Sequence, residues 1–149
     1  MEKGGVDGSC GERMTAAQRN KGARGEREFC VLLSEHLGEK YFRQLGAARD
    51  GGPDVLIGER WAVEVKRAEK PEFGAWWEQA FRQAMACGRF PALAYRASRQ
   101  PWTVAIPLDV ILFGHVLWEE QENHAPWCPW EFTAKLTLEG FATVVREIV

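Results

Sequence analysis

A chain of 149 residues with 46% apolar and 27% charged side chains has the composition of one ordinary globular domain, able to bury roughly 70% of its unfolded surface. No apolar run reaches the roughly 18 residues of a membrane helix, and Met1-Glu2-Lys3-Gly4-Gly5 lacks a signal-peptide core, so no membrane association and a cytoplasmic location are expected. The net charge of −2 argues against indiscriminate binding of polyanions, but it is uneven: residues 1–100 hold 17 Lys+Arg against 14 Asp+Glu, and residues 101–149 hold 2 against 7.

Residues 1–14, with Gly4, Gly5, Gly8 and Gly11 and no apolar periodicity, read as a disordered lead-in, and 15–149 as a single domain. A helix beginning near Thr15 or Lys21 runs to Leu37, with Gly38 suited to its C-cap. Phe29, Leu32, Leu33, His36 and Leu37 form its apolar stripe. Glu26 falls on the flank of that stripe, and Glu28 points away from it. A carboxylate aimed at a sheet needs a partner: a cation shared with other acids, an arginine, or solvent at the edge.

Lys40 to Leu45 alternates as a first strand, with Tyr41 and Arg43 on one side and Phe42 and Gln44 on the other. Gly46 to Gly52 is then a flexible loop. Pro53-Asp54-Val55-Leu56-Ile57 and Trp61-Ala62-Val63-Glu64-Val65-Lys66 read as two adjoining strands, with Gly58-Glu59-Arg60 as the turn between them. Strand alternation puts Trp61, Val63 and Val65 on one face and Ala62, Glu64 and Lys66 on the other. A tight hairpin can bring Asp54 beside Glu64 and Lys66. Two acids and one amine at a sheet edge suit a divalent-cation site with a positioned amine next to it.

After a polar connection, a helix from about Gly74 to Cys87 buries Trp77, Ala80, Phe81, Ala84 and Met85, and places Gln79 and Gln83 one turn apart on its other side with Trp76 beside them. Pro91–Arg96 and Trp102–Pro107 read as buried strands. Leu108 to Leu117 suits a short helix, and 119–129 an acidic loop (Glu119, Glu120, Glu122) with Trp118, Trp127 and Trp130 around it, a lid over core or a subunit contact. Phe132 to Leu136 alternates as a strand, and Thr137 caps a closing helix with Leu138, Phe141, Val144, Val145 and Ile148 on one face. Cys10, Cys30, Cys87 and Cys128 form no Cys-x-x-Cys pair and read as free thiols. His124 and Cys128 stand four apart, and a zinc-dependent interaction domain would need two more converging ligands.

Pro53-Asp54…Glu64-Val65-Lys66 resembles the signature of the PD-(D/E)XK nuclease superfamily. Upstream, Lys21-Gly22-Ala23-Arg24-Gly25-Glu26-Arg27-Glu28 resembles the opening helix of archaeal and bacteriophage-type Holliday junction resolvases within it. The likeness covers roughly residues 20 to 96, with its parts in the family's order; the acidic last third has no counterpart in it. It implies an α/β fold with a restriction-endonuclease-like αβββαβ core (a mixed central sheet flanked by helices) over about 20–107, and a C-terminal extension over 108–149.

The activity implied is that of a magnesium-dependent DNA endonuclease, with manganese able to substitute and no nucleotide cofactor. Asp54 and Glu64 would be metal ligands and catalytic acids, joined by the Val65 backbone carbonyl and by Glu26, directly or through water. Lys66 would orient or deprotonate the attacking water and stabilise charge on phosphorus. Arg43 maps onto a DNA-contacting arginine and Arg49 lies near it; Lys21, Arg24 and Arg27 would meet the DNA backbone, and Gln79 or Gln83 a phosphate or water. Paired cuts in a branched DNA such as a four-way junction imply a two-fold homodimer. The alternatives are a nuclease for flaps, single strands or a duplex site, and a non-catalytic DNA-binding or assembly module. The intact Asp54, Glu64 and Lys66 speak against the module.

Overall fold

The computed structural model describes residues 15–46, 50–115 and 127–148. Helix α1 (Ala16–Leu37) is fixed at both ends by local chemistry. The Thr15 hydroxyl accepts from the Gln18 N–H at 3.2 Å, and the Gln18 side chain accepts from the Thr15 N–H at 2.8 Å, a reciprocal capping box. At the other end Gly38 turns left-handed (φ 74°) and its N–H bonds the Ser34 carbonyl.

Strands β1 (Val55–Ile57) and β2 (Trp61–Arg67) pair antiparallel, with Val55 opposite Val63 and Ile57 opposite Trp61. Helix α2 (Phe73–Ala86) then carries the chain to β3 (Phe90–Arg96), which lies parallel to β2. The sheet continues antiparallel through β4 (Thr103–Pro107) and, after the short helix α3 (Leu108–Phe113) and a 3₁₀ turn at Trp130–Phe132, through β5 (Thr133–Thr137). Strand order in space follows order in sequence. Thr137, whose hydroxyl accepts from the Gly140 N–H, caps α4 (Leu138–Glu147).

Alternation sorts the strand side chains into two cores. One holds Phe29 and Leu33 of α1, Trp61, Val63 and Val65 of β2, and Phe141 of α4. The other holds Trp77, Ala80 and Phe81 of α2 with Leu93, Ala105 and Cys128. Of the described cysteines, Cys30, Cys87 and Cys128 are free thiols. No described helix is long and apolar enough to cross a membrane.

Three expectations need correction. Lys40–Gln44 runs without forming a strand; its backbone link to the sheet is the Gln44 N–H to the Asp54 carbonyl at 2.8 Å. β1 offers three residues, too short an edge for a ladder on this side. His36 is exposed, and Cys30 takes a place in the α1 core stripe instead. The last third is also more than an appendage, because β5 is a full member of the sheet and Phe141 meets Trp61 edge-on at 5.3 Å inside the α1 core.

One glycine decides how closely α1 approaches the sheet. A Cβ on Gly25 would stand 3.1 Å from the Arg67 Cβ, the root of a strand side chain that cannot swing away. The bare backbone there lets the Glu26 turn of α1 settle onto the end of β2 that carries Glu64 and Lys66.

Candidate active site

Asp54 precedes β1 and is held by backbone on both sides: its N–H bonds the Val63 carbonyl at 3.0 Å and its carbonyl accepts from Gln44. Its Oδ2 accepts from the Val65 N–H at 2.8 Å. The regular ladder has ended here, so the carboxylate takes the place of the next backbone partner. In an extended strand a residue's N–H and C=O point to the same side. The Val65 carbonyl therefore also faces Asp54.

Glu64 lies on the opposite face from Val63 and Val65 and is only 4% exposed. Its Oε1 meets the Lys66 Nζ at 2.9 Å, as expected from a two-residue step along a strand. Its Oε2 is buried without a hydrogen-bond partner. The Lys66 Nζ also donates to the Gln79 Oε1 of α2 at 2.9 Å, so the amine bridges strand and helix.

The electrostatics of this cluster are out of balance. Burial pushes the Asp54 carboxyl up to about 8 from its ordinary 3.8, and the Glu64 carboxylate beside it pushes the same way, as does Glu26. The Val65 N–H and, more weakly, Lys66 oppose them without offsetting them. A buried carboxylate with an orphaned oxygen and a half-buried one share one ammonium.

That donor set fits a hard divalent cation, which takes oxygen ligands and, for magnesium, needs only one or two carboxylates with waters completing its shell. Asp54, the Glu64 Oε2 and the Val65 carbonyl are the groups that could hold it. Among the described residues no three His, Cys, Asp or Glu side chains converge as a ready ligand cluster.

Glu26 is occupied otherwise. Its Oε2 accepts from the Arg43 Nε at 2.5 Å, and both side chains are about one-fifth exposed. The sequence reading gave these two residues separate duties, and the fold joins them in an ion pair beside Asp54. An arginine is one of the three partners expected for an acid at this position.

The proposed DNA contacts separate by position. Arg24 and Arg27 are exposed on α1, and Lys21 pairs with Glu69 at 3.6 Å. Arg49 lies outside the described residues, as do His124, Trp118 and the acids at 119, 120 and 122. Gln79 reaches the site, whereas Gln83 does not. It is 8% exposed with its Oε1 unpartnered, which corrects its placement on the outer side of α2. At helical spacing 79 and 83 share a face only approximately, and the drift over one turn brings Gln83 among the buried residues of α2.

Sequence reasoning missed two neighbours of the cluster. The Cys30 thiol is pushed up to about 11 by burial and by the Glu26 carboxylate, which keeps it protonated. Glu28 reaches Arg96 at 2.8 Å and ties α1 to the end of β3. Helical periodicity pointed Glu28 away from the core correctly but could not show a cation waiting at the rim. Cys128 is buried with its thiol pushed up to about 11 mainly by burial, and its carbonyl accepts from the Trp77 indole at 2.7 Å.

The mixed five-stranded sheet with helices on both faces is a restriction-endonuclease-like α/β architecture, carrying Asp54, Glu64 and Lys66 at one end. The family model described as "Phage putative PDDEXK endonuclease" matches residues 17–147. A search of the curated proteins gives no match. Among solved structures, Archaeoglobus fulgidus Hjc, described as a Holliday junction resolvase from an archaeal hyperthermophile, is similar at 20% sequence identity and a TM-score of 0.48, over 85% of this chain and 99% of that one. With a family match that runs from the first turns of α1 to the end of α4, the chain belongs to this phage PDDEXK endonuclease family.

Proposed function

We propose that this nuclease is a magnesium-dependent DNA endonuclease that cuts branched DNA such as a four-way junction, working as a two-fold homodimer. The observation that carries the metal dependence is the unbalanced pair: half-buried Asp54 stands beside buried Glu64, the Glu64 Oε2 has no partner, and the Asp54 carboxyl is driven up to about 8. Leaving such a pair without a cation is costly, and a divalent ion relieves the repulsion and the desolvation at once.

Asp54, Glu64 and the Val65 carbonyl are the residues that would hold the ion. When bound, it supplies neutralisation of the phosphate oxygens and a lowered pKa for an adjacent water. The chain itself supplies the rest. Lys66, fixed between Glu64 and Gln79, is placed to orient the attacking water and to meet the negative charge that grows on the phosphoryl oxygens, a contribution typically of 10²–10³-fold. Its N–H donors are already directed at two acceptors, the Glu64 Oε1 and the Gln79 Oε1, which favours the electrostatic role over that of a general base. Gln79 is a positioning residue acting through Lys66.

Branched DNA as the substrate, and the dimer that paired cuts require, rest on the resemblance of the Lys21–Glu28 run to the resolvases. Manganese should replace magnesium. The test is cleavage of a synthetic four-way junction in Mg²⁺ beside flap, single-stranded and duplex substrates. Junction cleavage that is lost in Asp54→Ala and in Glu64→Ala supports the reading. Cleavage undiminished in either variant, or none by the wild type, removes it.

A further inference from the structure

Beside the carboxylate cluster, a second hollow opens between the first turn of α2 and the β3–β4 turn. Its volume is about 260 Å³, enough to admit one flat heterocycle. Phe73, Trp76 and Tyr95 line it, with Gln100 and Thr103 as polar groups. Phe73 meets Trp76 at 87° and Tyr95 at 60°, edge-on contacts that cover less ring surface than stacking would. Trp130 stacks on Phe73 at 10° and backs the group, while Trp76 and Tyr95 remain partly exposed.

Its position relative to the chemistry gives the hollow meaning. Tyr95 stands opposite Lys66 in the parallel register of β2 and β3, about 4.8 Å across the sheet. Trp76 lies one turn before Gln79, whose side chain holds the Lys66 ammonium. The hollow therefore begins where the reactive amine ends. Its rim is braced, because the Ser98 N–H bonds the Glu69 carboxylate at 3.0 Å and the Gln100 N–H bonds the Ala97 carbonyl at 3.2 Å. Arg99, exposed on the same turn, stands at φ 63°.

We propose that this hollow is a nucleobase site: a base close to the scissile phosphate leaves its stack and lodges against Trp76 and Tyr95, with Gln100 and Thr103 at its polar edge. The inference rests on the nuclease reading above and extends it to a second substrate contact. An aromatic platform accepts any base, since every base has a π-face. What it selects is a base that unstacks cheaply, and a branch point or single strand offers that where intact duplex does not. The site would thus read DNA structure rather than sequence.

The experiment is a cycle between protein and DNA, with magnesium withheld so that binding is read without cleavage. Full-length protein is titrated with junctions carrying one abasic nucleotide at each position flanking the branch, for the wild type and for Trp76→Ala. One abasic position is expected to weaken wild-type binding by about tenfold or more. Trp76→Ala should weaken binding of the intact junction by a similar factor, and the two together no further. A flat abasic scan with junction binding intact overturns the base site and leaves the nuclease reading standing. So do losses that multiply. Failure of the wild type to bind any DNA overturns both. Should Trp76→Ala fail to fold, Gln100→Ala on the exposed turn supplies the protein side of the cycle, and the wild-type abasic scan alone still decides.

Discussion

Asp54→Asn isolates the charge imbalance at the site, because asparagine can still accept the Val65 N–H through its side-chain oxygen yet carries no proton to lose. The sign follows from the direction of the shift. A carboxyl held at about 8 in the folded protein and 3.8 in the unfolded chain favours the folded state fully below pH 4. It loses that advantage steadily as pH rises toward 8. At 1.36 kcal/mol per unit, the wild type should lose roughly 4 kcal/mol between pH 4 and pH 7 relative to the asparagine variant. That is a large share of the 5–15 kcal/mol typical of a folded domain. Urea denaturation of both proteins in EDTA, at steps from pH 4 to pH 8, measures it. The expected result is a gap that widens with pH in favour of Asp54→Asn, and that narrows at pH 7 when Mg²⁺ at a hundred times its Kd restores about 2.7 kcal/mol to the wild type. Parallel pH curves for the two proteins would refute the reasoning, since they would mean that the Asp54 carboxyl ionises in the fold as freely as in water.

Other outcomes follow from the same contacts. Lys66→Met should lower junction cleavage by about 10²-fold or more while the protein still binds Mn²⁺ in a calorimetric titration; cleavage within threefold of wild type would contradict the role given to the amine. Gln79→Ala should reduce cleavage by roughly tenfold with unchanged unfolding in urea, through loss of the 2.9 Å bond that positions Lys66. Gly25→Ala should destabilise by about 1 kcal/mol, because the clash with the Arg67 Cβ at 3.1 Å outweighs the gain in helix propensity. Gly22→Ala, with nothing within 4 Å, should stabilise by about the same amount. Urea midpoints moving the same way in both would contradict the close approach of α1 to β2.

What the sequence made legible is whatever local rules determine. Gly38 marks the end of α1, whose start stays open between Thr15 and Lys21 until the Thr15–Gln18 capping box is seen, and strand alternation puts Glu64 and Lys66 on one face and Val63 and Val65 on the other. Thr137 marked the start of α4 in the same way. What stayed hidden depends on partners far along the chain. Lys40 to Leu45 alternates as a strand should, but β1 is too short to pair with it. Gln83 looked equivalent to Gln79 until the approach of α2 to the sheet buried one and left the other beside Lys66. The Glu26–Arg43 pair joins residues 17 apart that spacing alone could not match. Nor does an alternating segment near the C-terminus reveal that it will become the fifth strand of a sheet begun 78 residues earlier, since any exposed sheet edge would satisfy the same pattern.

The most direct measurement is an anomalous difference map from crystals soaked in Mn²⁺. The account predicts a peak held between the carboxylates of Asp54 and Glu64 and beside the Val65 carbonyl, lost in Asp54→Asn. Carboxylates turned away from one another with no ion between them, at a manganese concentration that supports cleavage in solution, would contradict it.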